Sequence, residues 1–500
     1  MYEAKDLKVE AAKGTMAMAG ATFGTRILSI VCTIFLARIL DPNDFGVIAL
    51  AMVVIATSKQ FSGLGMGAAV IQSPLQRKAV AFHAFVISSM IGLLLSLVVF
   101  FNAKTFSGLL SNMEIVPILR WMSVIIFLNS LLVVPDALLR KDLIFVRRGV
   151  VTIFSELLYM GVALGLAYND FGLWSLVYAY LLKHSLNLIL IWLFCPGWDW
   201  LTLQRLDLKL MKKLIGFGLQ IAGSGFLSFL NSTWDNLLVG KMLGPMALGF
   251  YVKAYDFANM SVTSFTRVVN SVLFPLYSKI QDQKDLLSKA YLKSLSLVAL
   301  VTVPLSMGMF IFAPAMVPLL LGEKWNQMVP ALQIFAFMSL VRPLSGTTSP
   351  LFLAVGLPKF NIRVSLLQSS IMLPLALLLI DRGITGVAIA IVTAFSVGFC
   401  FNIYQANRII PGVASKIFGA IFPAISATVL MMLSVYWSRL GLSKVIGNYH
   451  EMIFLILLVT ISILTYASVL VTVKRQLVIE VINLVFSALG MKKNVAFSRF

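Results

Sequence analysis

Apolar residues run in long blocks along this chain, separated by short polar links rich in Lys, Arg, Gly and Pro. The blocks fall near residues 16–40, 45–70, 79–101, 115–135, 149–168, 171–194, 213–239, 249–273, 292–321, 327–352, 361–380, 384–406, 415–437 and 450–472. Each is long enough to cross a hydrocarbon core of about 30 Å as a helix. The pattern predicts an all-α polytopic membrane protein with about fourteen transmembrane helices. No polar link is long enough to hold a soluble domain. The block from Met16 to Leu40 is too long for a signal peptide, so it is expected to stay as a helix. After Arg475 the pattern changes. Leu477, Val481, Leu484, Val485 and Ala488 form one apolar face over Gln476 to about Gly490, too short to span. This predicts an amphipathic helix, either along the inner leaflet or packed on the bundle.

Composition agrees with the pattern. The chain is 59% hydrophobic and 12% charged, against about 25% charged in a soluble protein, and its mean hydropathy is +0.94. A net charge of +20 raises the question of nucleic acid, but the positions of the charges answer it. With the N-terminus inside, the inner segments hold 26 Lys and Arg and the outer ones 8. That bias puts both termini in the cytoplasm of an inner (plasma) membrane protein and leaves no role for nucleic acid. Cys32, Cys195 and Cys400 lie in or at the end of apolar blocks with neither disulfide nor metal spacing, and no cofactor is expected.

Six basic residues remain inside the blocks: Arg26, Lys59, Lys183, Lys253, Arg267 and Arg342. They face three embedded acids, Glu156, Asp235 and Asp256. An embedded charge costs a few kcal/mol unless it meets a watery cavity or an opposite charge. Arg26 shares a helical stripe with Thr22, Ser29 and Thr33, and Arg267 lies between Ser264 and Ser271. Lys59 is close to Ser62 and Gly63, and Arg342 follows a stripe with Ser339, Ser345 and Ser349. Counting 1.5 Å per residue puts Glu156 and Lys183 at similar depth on consecutive helices, which reads as a structural ion pair. Lys253 and Asp256, one turn apart, read as a second pair. Asp235, near the outer end of its helix, is a candidate ion-coupling group. The balance favours handling of an anion, for which arginine supplies bidentate donors.

The chain also repeats itself. Ala37-Arg-Ile-Leu-Asp-Pro-Asn-Asp-Phe-Gly46 matches Gly240-Lys-Met-Leu-Gly-Pro-Met-Ala-Leu-Gly249 at an offset of 203 residues. Leu40/Leu243, Pro42/Pro245 and Gly46/Gly249 are identical, and Arg38/Lys241 are both basic. Pro and Gly here suit a tight turn into a new helix, with Asp41 or Asn43 as its cap. The preceding helices correspond too, with Ser224, Ser228, Asn231 and Asp235 on one face of the seventh. Six spans separate the copies, so they run in the same direction, as two lobes around a central cavity. The expected division is 1–200 and 201–410 for the six-helix lobes, 411–475 for two additional helices, and 476–500 for the tail.

The first copy, its continuation Phe61-Ser-Gly-Leu-Gly-Met-Gly67, and Leu248-Gly-Phe-Tyr-Val-Lys-Ala254 resemble the polysaccharide flippases of the multidrug/oligosaccharidyl-lipid/polysaccharide exporter superfamily. The likeness is to the branch serving O-antigen, capsule, colanic- or teichuronic-acid units. It implies movement of an undecaprenyl-pyrophosphate-linked oligosaccharide from inner to outer leaflet by alternating access. It also implies a lipid-linked oligosaccharide and membrane lipids as partners, with a polysaccharide polymerase and other assembly proteins, for a monomeric protein. In that family arginines on the first and eighth helices face the cavity, positions that Arg26 and Arg267 match. The expected substrate contacts are therefore Arg26, Arg267, Lys59, Arg342, Thr22, Ser29 and Asn231. A cationic-drug antiporter would need an acidic cavity. A membrane glycosyltransferase or polymerase would need a carboxylate site at the outer surface, where the one acidic pair, Asp41 and Asp44, is replaced in the repeat copy by Gly244 and Ala247.

Overall fold

The computed structural model describes the backbone of residues 4–73, 77–202, 204–446 and 451–488, with side chains over 18, 20–73, 78–202, 204–223, 233–259, 272–440 and 452–472. Every regular element among them is helical. In chain order they are α1 (Ala4–Ile39), α2 (Pro42–Ser62), α3 (Met66–Gln72), α4 (Arg77–Phe101), α5 (Ala103–Leu109), α6 (Ile115–Lys141), α7 (Phe145–Tyr168), α8 (Trp174–Leu193) and α9 (Leu208–Met242). There follow α10 (Gly244–Lys279), α11 (Lys284–Leu321), α12 (Val329–Gly346), α13 (Thr348–Ala354), α14 (Lys359–Leu378), α15 (Gly383–Ile409), α16 (Val413–Ile446) and α17 (Glu451–Ala488). Among the described residues, 12 stretches are long and apolar enough to span a membrane. α9 and α10 are the other long helices, and the side chains at their centres lie outside the described residues.

Several elements differ from the sequence expectation. The block read as one span over 45–70 is broken: Leu64 and Gly65 take left-handed angles (φ 36° and 65°), ending α2 and starting α3. A left-handed step costs little at Gly, so the Phe61–Gly67 segment supplies its own helix break. The tail helix is not a separate element, because α17 runs unbroken for 38 residues through Ala488. α11 begins at Lys284, eight residues before the expected block, and contains Pro304, Pro314 and Pro318 as one 38-residue helix.

Compactness divides the chain into Met1–Gly249 and Phe250–Phe500. α9 packs on α2, α3 and α4 of the first unit. In that unit α1 packs on α7, α7 on α8, and α6 on α2, α4 and α8. The α4–α6 seam shows why these faces meet. Ser88, Gly92 and Ser96 recur one turn apart on α4, and small residues let the backbones approach. Ser88 Oγ then donates to Ser130 O (3.3 Å) and Ser96 Oγ to Ser123 O (2.9 Å). The repeated turns meet as well. A Cβ on Gly46 would strike the carbonyl oxygen of Pro245, and one on Gly249 would strike that of Pro42. The contact is reciprocal, each copy's Gly leaving room for the other copy's Pro carbonyl. At this turn Asp44 accepts a hydrogen bond from the Asp41 backbone N–H (3.1 Å), so Asp41 occupies the N-cap of α2.

In the second unit α11 packs on α12, α16 and α17, and α15 on α12 and α14. Leu295, Val298, Ala299, Phe352 and Ala406 belong to its core. Tyr466 on α17 donates to Leu300 O (2.6 Å), tying the last helix to α11.

Candidate functional site

The first unit holds a polar cluster at membrane depth. Lys183 Nζ on α8 donates to Glu156 Oε2 on α7 at 2.6 Å and lies 5.0 Å from the ring centre of Tyr159. Tyr159 and Tyr180 face each other at 4.9 Å. Next to Lys183, His184 Nδ1 is 3.5 Å from Asn129 Nδ2, which also donates to Ile125 O (2.7 Å). Lys59, on the last turn of α2, is close enough for its charge to act on Lys183 and His184. The cluster thus sets two ammonium groups against one carboxylate. Glu156 is buried and closely paired, while the Lys59 side chain is exposed.

Arg26 is exposed on α1, six residues beyond Gly20, the first residue of that candidate span. That is roughly 9 Å along the helix axis. Its neighbours Phe23 and Ile27 are also exposed. Neither Arg26 nor Lys59 has an ion-pair partner among the described residues. On the same stripe Thr22 Oγ1 donates to Met18 O (2.7 Å), and Ser29 is half-buried. Asp235 is buried on α9. The side chains of Arg267 and Asn231 lie outside the described residues.

Arg342, in the second unit, already has neighbours. Its Nη1 donates to Tyr255 Oη (2.8 Å), and its guanidinium lies 5.6 Å from the Phe395 ring centre. The serines of its stripe are likewise used between helices. Ser339 Oγ donates to Ala258 O (2.5 Å), and Ser345 Oγ accepts from Asn402 Nδ2 (2.6 Å). An arginine held by a phenol and an aromatic face is satisfied at depth without an acid.

Residues 35–330 match the family described as "Polysaccharide biosynthesis protein". The chain belongs to that family. A similar relative is the lipopolysaccharide biosynthesis protein WzxC of Escherichia coli, 23% identical over 69% of this chain and 70% of that protein. The succinoglycan biosynthesis transport protein ExoT of Rhizobium meliloti is 26% identical, covering 67% of each chain. The teichuronic acid biosynthesis protein TuaB of Bacillus subtilis is 26% identical over 59% of this chain and 60% of that one. Among solved structures, the lipid II flippase MurJ in an inward closed conformation superposes with a TM-score of 0.72 at 14% identity, covering 92% of this chain and 99% of MurJ. An inward-facing multidrug resistance MATE transporter gives 0.61 at 18% identity over 77% and 95%. The chain therefore has the MurJ/MATE fold.

Sequence reasoning passed over Tyr159, Tyr180, His184 and Asn129 in this member of the family. A signal existed for the tyrosines: Tyr159 is three residues after Glu156 and Tyr180 three before Lys183, each one turn from a charge on the same face. Tyr255 and Phe395 around Arg342 had no such signal, because they come from other helices.

Proposed function

We propose that this protein moves a lipid-linked oligosaccharide carrying a pyrophosphate from the inner to the outer leaflet, for surface polysaccharide assembly, with no covalent step. Family membership and the MurJ-like fold support the class of cargo. The observation that carries the anion reading is the pair Arg26 and Lys59, exposed cations within spanning helices with no ion-pair partner among the described residues. With both termini cytoplasmic, as the Lys/Arg bias favours, both cations lie in the inner half of their helices, where a pyrophosphate headgroup enters. Arginine offers two parallel donors to a phosphate and lysine a point charge, so Arg26 clamps and Lys59 attracts. Arg267 and Asn231 join them on this reading, and Thr22 and Ser29 border the path. Arg342 stands apart because Tyr255 and Phe395 already hold it. Asp235 is the proposed coupling group, and Glu156–Lys183 the structural pair beneath the cationic cluster. A cationic drug would be repelled by this excess of lysine over carboxylate. The repeat copies act as the two lobes that alternate access, with α16, α17 and the tail as additions, for a total of fourteen spans. Lipids surround the bundle, and polymerase and assembly proteins act on the delivered product.

The test is glycan export in a deletion strain, normalised to protein in the membrane. A charge-assisted hydrogen bond contributes about 1.5–3 kcal/mol, so Arg26→Ala is expected to lower export by roughly ten- to a hundredfold. Arg26→Lys keeps the charge, loses the planar fork, and is expected to fall between Arg26→Ala and the wild type. Wild-type export from an Arg26→Ala, Lys59→Ala double variant would refute the anion site.

A further inference from the structure

The turn joining α7 to α8 frames a shallow, open hollow of about 450 Å³ lined by Asn169, Asp170, Phe171, Trp174 and Tyr178. Its walls are aromatic. Trp174 and Tyr178, one turn apart on α8, have ring centres 5.7 Å apart and planes tilted by 31°. Trp121 on α6 meets Tyr178 edge-on at 6.3 Å. Its rim is polar. The backbone at Asp170 is left-handed (φ 61°), as is Gly172 (φ 51°), and these two residues set the turn that carries the carboxylate. Asn169 Nδ2 donates back to Gly165 O (2.7 Å), which uses one amide proton at the helix end and leaves its side-chain oxygen able to accept. The Asp170 backbone N–H donates to Ala167 O (3.2 Å), while among the described residues its carboxylate has no ion-pair or hydrogen-bond partner.

Tryptophan and tyrosine at a helix end commonly anchor a membrane interface. Anchoring accounts for the rings but not for an unpaired carboxylate beside them. A π-face is electron-rich and gains nothing from an adjacent anion. A ligand with an apolar face and a hydroxylated edge uses both at once. A pyranose is such a ligand: its axial C–H bonds lie against an aromatic ring, while neighbouring equatorial hydroxyls donate to a carboxylate and a carbonyl. The negative charge of Asp170 opposes uronic or sialic acids. We infer that the α7–α8 hollow is a carbohydrate site for a neutral pyranose, stacked on Trp174 and Tyr178 with hydroxyls donating to Asp170 and Asn169. The site is separate from the Arg26–Lys59 set. Binding of free sugar tests it whether or not the anion reading holds. On the charge-derived topology it faces outward, where the sugar of a delivered molecule emerges.

The experiment is saturation-transfer-difference NMR on the full-length protein in lipid nanodiscs. The probes are the methyl glycosides of glucose, galactose, mannose and rhamnose, with methyl glucuronide as the acidic comparator. Transfer is expected to the ring C–H protons of at least one neutral glycoside, and to be about fivefold weaker or more for the glucuronide. An aromatic contact contributes about 0.5–1.5 kcal/mol, so Trp174→Ala is expected to cut the transfer by about three- to tenfold. Asp170→Asn, at an exposed position where folding is not at stake, is expected to cut it about threefold or more through loss of a charge-assisted bond. Absence of protein-dependent transfer to all four neutral glycosides would overturn the site. So would transfer undiminished by Asp170→Asn, which also decides the matter if Trp174→Ala does not fold. Variants that lower thermal stability while the wild type binds no sugar would leave the rings as membrane anchors and refute the proposal.

Discussion

Removing one partner from Glu156–Lys183 strands the other charge among helices, with no second ion-pair partner among the described residues. Breaking a fully buried pair costs about 3–5 kcal/mol. The Lys183 side chain is 27% exposed and Glu156 12%, which lowers the expected cost. We take about 2 kcal/mol as the working figure for Glu156→Gln or Lys183→Met. Either variant is expected to reduce folded protein in the membrane, read by size-exclusion chromatography of a fluorescent fusion, and the swap Glu156→Lys with Lys183→Glu to recover part of it. Normal accumulation with lost export would instead assign the pair to the substrate path. This couple was legible in the sequence because depth along two consecutive helices is simple arithmetic. The surroundings of Arg342 were not. Tyr255 is 87 residues away and meets it only through the packing of α10 on α12.

At the scale of elements, the strongest constraint lies where the repeated turns touch. Gly46 and Gly249 each face a backbone oxygen, which cannot turn aside as a side chain can. Gly46→Ala is therefore expected to force the α2 and α10 starts apart, at an overpacking cost of about 1–3 kcal/mol or more. Gly161, within α7, has open space where a Cβ would go. Gly161→Ala is expected to be neutral or to stabilise by up to about 1 kcal/mol through helix propensity. Thermal unfolding of the two purified variants compares them directly, and equal midpoints would show that the turn contact is not constraining. The Pro-x-x-x-Gly pattern announced both turns. It did not announce that the two turns pack on each other, because their 203-residue separation carries no distance information. The break at Leu64–Gly65 was hidden for another reason: hydropathy stays high across it, and only the left-handed angles separate α2 from α3. The same continuity of apolar residues carries α17 past Arg475, where the change in pattern had suggested a new helix.

For the whole molecule, orientation is a property of summed charge. Each lysine near a helix end contributes little, and 26 against 8 contribute a great deal. The lobe boundary expected from the repeat lies near 200, and the compact units meet at Gly249, with α9 packed on the first. These two facts make the direction of the second copy the quantity to measure. If the repeats are parallel, corresponding loops of the two copies face the same side. We therefore expect single cysteines at Asn169 and Asp381 to react with an impermeant maleimide from outside intact spheroplasts. Cysteines at Leu206 and Asp282 are expected to react only after permeabilisation. All four positions are exposed, and the background carries Cys32, Cys195 and Cys400 replaced by alanine. Reversed labelling at all four would invert the protein and put Arg26 and Lys59 in the outer half, against entry of a headgroup from inside. Labelling that agrees in the first unit and reverses in the second would make the repeats antiparallel. An odd number of crossings would then lie between the two turns, and the two-lobed, fourteen-span scheme would fail with it.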